Sequence, residues 1–204
     1  NIAFAEESGG FVGLGIGYGG TQFDIKILTP DEVTNYSEKN ASGINYGFVA
    51  GYKQFFTPYL GLRYYANVDI WHNLSEQLNI YDNAKKRQDI MLINYGVNVD
   101  FLGNFISSES VDFGGFVGIG IGANSWSGKW LKDFESDWVA EGLNKFNFTS
   151  FDFWVNVGLR TNIATNHGLE VAVRVPFLKT QLIKANDEAN GVSFKFDIKQ
   201  SYNI

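Results

Sequence analysis

The sequence predicts an all-β fold, an eight-stranded antiparallel up-and-down transmembrane β-barrel, and three observations carry that prediction. Hydrophobicity alternates with a period of two along most of the 204 residues, while helical periodicity is hard to find. The connections between alternating segments are in turn long and short, so short turns collect at one end of a meander and long loops at the other. One face of the segments carries no charge, whereas the opposite face collects basic and acidic residues among Gly, Asn and a few large aromatics.

Strands are expected over 10–24, 43–55, 59–72, 90–105, 112–126, 146–163, 168–178 and 191–204. The first sets Val12, Leu14, Ile16 and Tyr18 against Gly13, Gly15 and Gly17. The next two place Tyr46, Phe48, Ala50 and Tyr52, then Leu62, Tyr64, Ala66, Val68 and Ile70, on the apolar face. Ile93, Tyr95, Val97, Val99 and Phe101 continue it in the fourth. The fifth repeats the first, Phe116-Val117-Gly118-Ile119-Gly120-Ile121-Gly122 echoing Phe11-Val12-Gly13-Leu14-Gly15-Ile16-Gly17. In the sixth and seventh the apolar face runs through Phe151, Phe153, Val155, Val157 and Leu159, then Leu169, Val171, Val173, Val175 and Phe177. Pro176 removes a ladder donor only near the end of its strand. The last strand is assigned Phe194, Phe196, Ile198, Tyr202 and Ile204 on that face, with Gln200 as its polar exception. Residues 25–42, 73–89, 127–145 and 179–190 are the long connections, and 56–58, 106–111 and 164–167 the short ones.

A soluble eight-stranded barrel shares this pattern with its polarity reversed. Strands of this length can supply the roughly 9–11 tilted residues that cross a bilayer. Aromatics crowd the boundaries: Tyr18, Tyr46, Trp126 and Trp130 towards the long loops, Phe55, Phe56, Tyr59, Phe105 and Tyr202 towards the short turns, as two girdles would. Glycines on the polar face of the first and fifth strands leave a narrow interior room for Arg63, Tyr65, Trp71, Trp154 and Arg160. Lipid is therefore placed outside, and closure then pairs every backbone group.

Composition bounds the rest. No apolar run approaches a spanning helix, and mean hydropathy is -0.12. The absence of Cys removes disulfides, thiolate metal sites and Cys nucleophiles. A net charge of -6 without a basic stripe beyond Lys85-Lys86-Arg87 argues against nucleic acid. Ala3-Phe4-Ala5 before Glu6 has the small-x-small form of a signal-peptidase site, so residues 1–5 are read as a signal-peptide remnant and 6–204 as one barrel domain.

Gly51-Tyr52-Lys53-Gln54-Phe55-Phe56, Gly61-Leu62-Arg63-Tyr64-Tyr65, Asn94-Tyr95-Gly96-Val97-Asn98-Val99-Asp100, Gly158-Leu159-Arg160-Thr161-Asn162-Ile163-Ala164 and His167-Gly168-Leu169-Glu170-Val171 occur in that order, followed by Val175-Pro176-Phe177. In these runs the chain resembles the C-terminal barrel of the Helicobacter outer membrane protein family, which includes porins and adhesins. The resemblance implies an outer-membrane location, periplasmic termini and extracellular long loops. It also implies contact with outer-membrane lipid and lipopolysaccharide, insertion by the barrel-assembly machinery, and a partner among envelope or host proteins. Adhesins of the family carry a large insertion after the first strand, whereas residues 25–42 are all that stands there. Members usually end in an aromatic, and this chain ends Tyr202-Asn203-Ile204.

The polar face carries Lys53, Arg63, Asp69, Asp100, Asp152, Arg160, Glu170, Arg174, Lys195, Asp197 and Lys199, six basic and five acidic. So near a balance is what mutual pairing inside a filled lumen requires, because unpaired buried charges are costly. A structural or interaction barrel is the leading reading, and a small porin the alternative. A lipid-modifying enzyme would need His72 with Ser75 and Glu76, since His167 lies at the opposite end; a rim histidine is the ordinary explanation, and no activity is assigned. Gly15-x-Gly17-x-x-Gly20 lacks the helix of a dinucleotide site. Loop carboxylates Asp31, Glu32 and Glu38, or Asp133, Glu135 and Asp137, match no Ca loop, so no metal or cofactor is expected. Glu38-Lys39-Asn40-Ala41-Ser42 has the form of an extended glycosylation sequon at Asn40.

Overall fold

The computed structural model describes residues 7–30, 32–78, 85–108, 110–140, 145–163, 167–187 and 192–204. Its strands are β1 (Gly9–Leu28), β2 (Val33–Phe55), β3 (Leu60–Asn73), β4 (Glu76–Leu78), β5 (Lys85–Arg87), β6 (Met91–Ser107), β7 (Val111–Ser127), β8 (Thr149–Ile163), β9 (His167–Pro176), β10 (Thr180–Asp187) and β11 (Val192–Asn203). One helix, α1 (Lys129–Ala140), lies between β7 and β8.

The sheet runs β1-β2-β3-β6-β7-β8-β9-β11-β10, and β1 pairs with β11, which closes the barrel. All these pairings are antiparallel. β9 and β10 act as one stave broken after Pro176, which gives eight staves, the number expected. Across the break the Phe177 N–H donates to Phe153 O at 3.0 Å and the Leu178 N–H to Asp152 Oδ1 at 3.0 Å. β11 reaches Asn203, opposite Gly19 and Arg174, and the Tyr18 and Ile204 backbones exchange two hydrogen bonds. Below that level β1 is paired with β2 and β9 with β8.

Alternation explains the two surfaces. Val12, Leu14, Ile16, Phe48, Val68, Val97, Ile119, Phe151 and Leu169 are exposed on the outer wall, while the residues between them turn inward. Such a wall would be untenable in water and suits hydrocarbon.

The long connections hold more structure than expected. β1 and β2 continue their pairing to Leu28 and Val33, so most of 25–42 is a hairpin extension. Residues 73–89 contain the β4–β5 ribbon, 127–145 contain α1, and 179–190 contain β10. Gly128 adopts φ 134°, and a Cβ there would come within 2.1 Å of Asp89 O. Only glycine fits this entry to α1.

Two bulges reset the register beside Thr21. In β11, Gly20 pairs with Tyr202 but Thr21 pairs with Gln200, leaving Ser201 as the extra residue. In β2, Thr21 pairs with Ala41 but Gln22 pairs with Lys39, leaving Asn40 as the extra residue. One inserted residue exchanges the two faces of the strand beyond it.

Candidate functional site: a filled lumen and its aromatic cap

Residues facing inward from β3, β6, β7, β8 and β9 meet across the barrel. Arg63 donates to Asp100 Oδ2 through Nη2 at 2.6 Å and Nε at 3.1 Å, and through Nη1 to Glu170 Oε1 at 2.5 Å. Its guanidinium carbon lies 4.6 Å from the centre of the Phe116 ring. Asp100 has no solvent exposure and fills the space beside Gly118, where a Cβ would lie 1.9 Å from Asp100 Oδ1. Arg174 donates to Asp69 Oδ2 at 2.6 Å, to Asn94 Oδ1 at 3.1 Å and to Asn156 Oδ1 at 3.1 Å. Arg160 is buried and donates to Asn104 Oδ1 at 3.3 Å, and Lys53 stands 5.4 Å from the Phe11 ring centre.

Five asparagines join these ion pairs, and the sequence reading did not single them out. Asn98 Nδ2 donates to Asn67 Oδ1 at 2.8 Å, and Asn67 Nδ2 to Asn94 Oδ1 at 2.9 Å and Asp69 Oδ2 at 2.6 Å. Asn94 continues to Asn124 at 2.8 Å, and Asn124 to Asp152 Oδ2 at 2.6 Å. Asn98 Oδ1 accepts Trp154 Nε1–H at 2.6 Å and Asn156 Nδ2–H at 3.0 Å. Their recurrence at the inward parity of successive strands was the available signal.

Trp154 crosses the lumen with no solvent exposure. A Cβ on Gly96 would lie 2.6 Å from its Cη2, and one on Gly120 2.1 Å from its Nε1. The glycines of β6 and β7 therefore make room for the indole. Those of β1 do not serve that purpose: Gly15 has nothing within 4 Å, and Gly13 faces Val49.

Above the row of Asp69, Asn94 and Asn124 the interior changes character. Trp71, Trp126, Phe23, Ile25, Leu92, Leu182, Phe196 and Ile198 are buried together, and Leu131, Phe134, Trp130 and Trp138 of α1 close over them. Trp130 stacks on Phe134 at 5.8 Å between centroids, and Phe134 meets Phe196 edge to face at 5.8 Å. The two lower indoles are tied by hydrogen bonds, Trp71 Nε1 to Gly19 O at 3.1 Å and Trp126 Nε1 to Thr180 Oγ1 at 3.0 Å.

This cap corrects two sequence assignments. Trp126 shares the inward parity of Asn124, and Trp130 belongs to α1 against the interior cluster, so neither stands in an outer girdle. In β11 the Ser201 bulge turns Phe196 and Ile198 inward, opposite Ile25 and Phe23, and with them Gln200 opposite Thr21. Lys195, Asp197 and Lys199 consequently face out, opposite Lys26, Asp24 and Gln22, and Lys195 pairs with Asp197 at 2.6 Å. Of the predicted charges, Lys53, Arg63, Arg160 and Arg174 remain inward against Asp69, Asp100, Asp152 and Glu170, and Asp112, buried opposite Asn162, adds a fifth acid near the short-turn end.

Tyr18, Tyr46, Phe56, Tyr59 and Phe105 are exposed on the outer wall. Tyr202 pairs with Gly20 beside Tyr18, at the long-loop side of β1 and not at the short-turn end assigned to it. His72 faces outward, stacked on Tyr46 with Tyr46 Oη 2.8 Å from its Nε2. Ser75 Oγ instead accepts the Ser42 N–H at 2.8 Å and donates to Asn73 Oδ1 at 3.1 Å. No group of three or more His, Cys, Asp or Glu side chains able to hold a metal occurs among the described residues. Asp31, residues 1–5 and the side chains of Glu38 and Asn40 lie outside the described residues.

A closed antiparallel barrel with an apolar outer wall and a polar interior is an integral membrane β-barrel. The model of the Helicobacter outer membrane protein family matches residues 47–204, and the chain belongs to that family; it is a protein of the bacterial outer membrane. No curated protein matches it by sequence. Two solved structures are similar to it. Neisserial surface protein A (NspA) shares 15% identity at a TM-score of 0.41, over 94% of this chain and 98% of that one. Ail, the attachment invasion locus protein of Yersinia pestis, shares 14% at 0.35, over 98% and 99%.

Proposed function

We propose that this protein is a non-conducting outer-membrane barrel with a structural or docking role. Its short turns face the periplasm, and its hairpins and α1 are presented at the cell surface. The observation that carries the reading is the filled interior: Trp154 and the Asn-Arg-Asp network occupy the lumen, and the aromatic cluster under α1 occupies its mouth. An eight-stranded barrel has room for side chains and little else. The β1–β2 hairpin runs to Leu28 and Val33, well above Tyr18, and makes a stiff projecting surface for an envelope or host protein. Outer-membrane lipid and lipopolysaccharide surround the wall, and the barrel-assembly machinery inserts it.

Planar-bilayer recording of the purified full chain tests this reading. Insertion without conductance steps is expected. Reproducible steps that a bulky residue at Gly118 or Gly120 abolishes would establish the porin reading instead.

A further inference from the structure

The outer wall carries a cavity of about 420 Å³ where its apolar surface ends at the long-loop side, lined by His72, Asp89, Met91, Ser127, Gly128, Lys129, Lys132 and Asp133. Its floor is a continuous row, because His72 pairs with Met91 and Met91 with Ser127, all at the outward parity. Its upper rim is the start of α1. Below Ser127 the outward residues of β7 are Ser125 and Ala123, smaller than the flanking Ile93 and Tyr95 of β6 and Phe151 of β8, so a shallow trough descends the wall from the cavity.

The charges at the rim are of both signs. Lys129 and Lys132 are exposed, and neither ammonium makes an ion pair among the described residues. Asp89 Oδ2 accepts the Lys129 N–H at 3.0 Å and so caps the helix, whereas the Asp133 carboxylate has no such engagement. Two free cations above a trough walled by Ile93, Tyr95 and Phe151 suit a phosphate whose lipid tail runs down the wall. A carboxylate beside them disfavours a simple anion and suits a phosphate that carries its own ammonium group.

We infer that this cavity binds the headgroup of a membrane lipid bearing phosphoethanolamine, with the phosphate on Lys129 and Lys132, the ammonium on Asp133, and an acyl chain along Ser125 and Ala123. The inference rests on the membrane orientation proposed above, which puts the cavity in the outer headgroup layer.

The full-length barrel, folded in micelles containing equal phosphatidylethanolamine and phosphatidylglycerol, tests it by native mass spectrometry of the retained lipid. Heat-modifiable migration on gels checks that each variant is folded. The unaltered protein is expected to retain phosphatidylethanolamine over phosphatidylglycerol by about fivefold, the equivalent of roughly 1 kcal/mol. Lys129→Glu combined with Lys132→Glu should abolish retention of both lipids, and Asp133→Asn should level the two. Equal retention by the unaltered protein, or undiminished phosphatidylethanolamine on the doubly charge-reversed variant, overturns the site. Displacement of the lipid by millimolar O-phosphoethanolamine would show that the headgroup alone binds and would overturn the lipid assignment. Conductance is read separately, so failure here is distinguishable from failure of the closed-barrel reading.

Discussion

The lower and upper halves of the interior solve one problem by opposite means. Up to the row of Asp69, Asn94 and Asn124 the lumen is filled by amides and ions whose hydrogen bonds reach from strand to strand across the barrel. Above it the filling is aromatic and aliphatic, and α1 supplies the lid. The difference follows from what lies outside each half. Within the bilayer the outer wall is already apolar, and the inward positions are free to carry the directional bonds that fix one arrangement. Towards the long loops the outer face is polar, as Lys26, Asp24 and Lys195 show, so the apolar side of each strand turns inward as in an ordinary core. Thr21, flanked by the Asn40 and Ser201 bulges, marks the change.

The halves should therefore fail differently. The largest effect is expected at Arg63→Ala, which strands Asp100 in a buried site; a loss of about 3–5 kcal/mol is expected in urea unfolding from lipid or detergent. Replacing Arg63 and Asp100 together by Leu should recover much of it. Next, Asn98→Leu removes the acceptor of Trp154 and Asn156, and about 1–3 kcal/mol is expected. Phe196→Leu in the cap keeps the apolar character of a fully buried position and should cost only about 1 kcal/mol. If Phe196→Leu proves the costlier of these two, the contrast between a bonded lumen and a packed cap fails.

The smallest effect concerns the outer polar face. Partial burial alone would push the Asp24 carboxyl up, but hydrogen bonds from Lys179, Ser37 and Gln22 outweigh it and hold the group at about 2, against an ordinary 3.8. The ionised form therefore adds stability above pH 3.8, and that contribution is lost as the pH falls towards 2. Lys179→Ala should move the midpoint of Asp24, followed by NMR, back towards 3.8. Its effect on stability is expected to be slight, because Lys179 is well exposed and the pair is screened by water.

The barrel itself was legible because period-two alternation, loop lengths and a chargeless face are direct consequences of a wall between lipid and lumen. What escaped had local physical causes. The Ser201 bulge inserts one residue, so parity counted through β11 assigns Phe196, Ile198, Lys195, Asp197 and Lys199 to the wrong faces; Gln200 on the apolar side was the trace it left. The helix was written as Trp130, Phe134 and Trp138 at spacings of four, but so short a stripe is outweighed in a chain dominated by strands. Most of β2 above Ala41 lacks apolar alternation and is held by its pairing with β1, information that is not local. The asparagine network was hidden because Asn carries no charge to mark it.

Accessibility at the junction of the two halves tests the filled interior most directly. The chain contains no cysteine, so Thr21→Cys, at a fully buried inward position, and Leu74→Cys, half exposed near the long-loop end, each provide a single thiol. With a bulky, membrane-impermeant methanethiosulfonate reagent added to the folded barrel, Thr21→Cys should react about a hundredfold or more slowly than Leu74→Cys, since it must wait for the cap to open. Comparable rates at the two positions would mean that the mouth of the barrel is open, and would contradict the account.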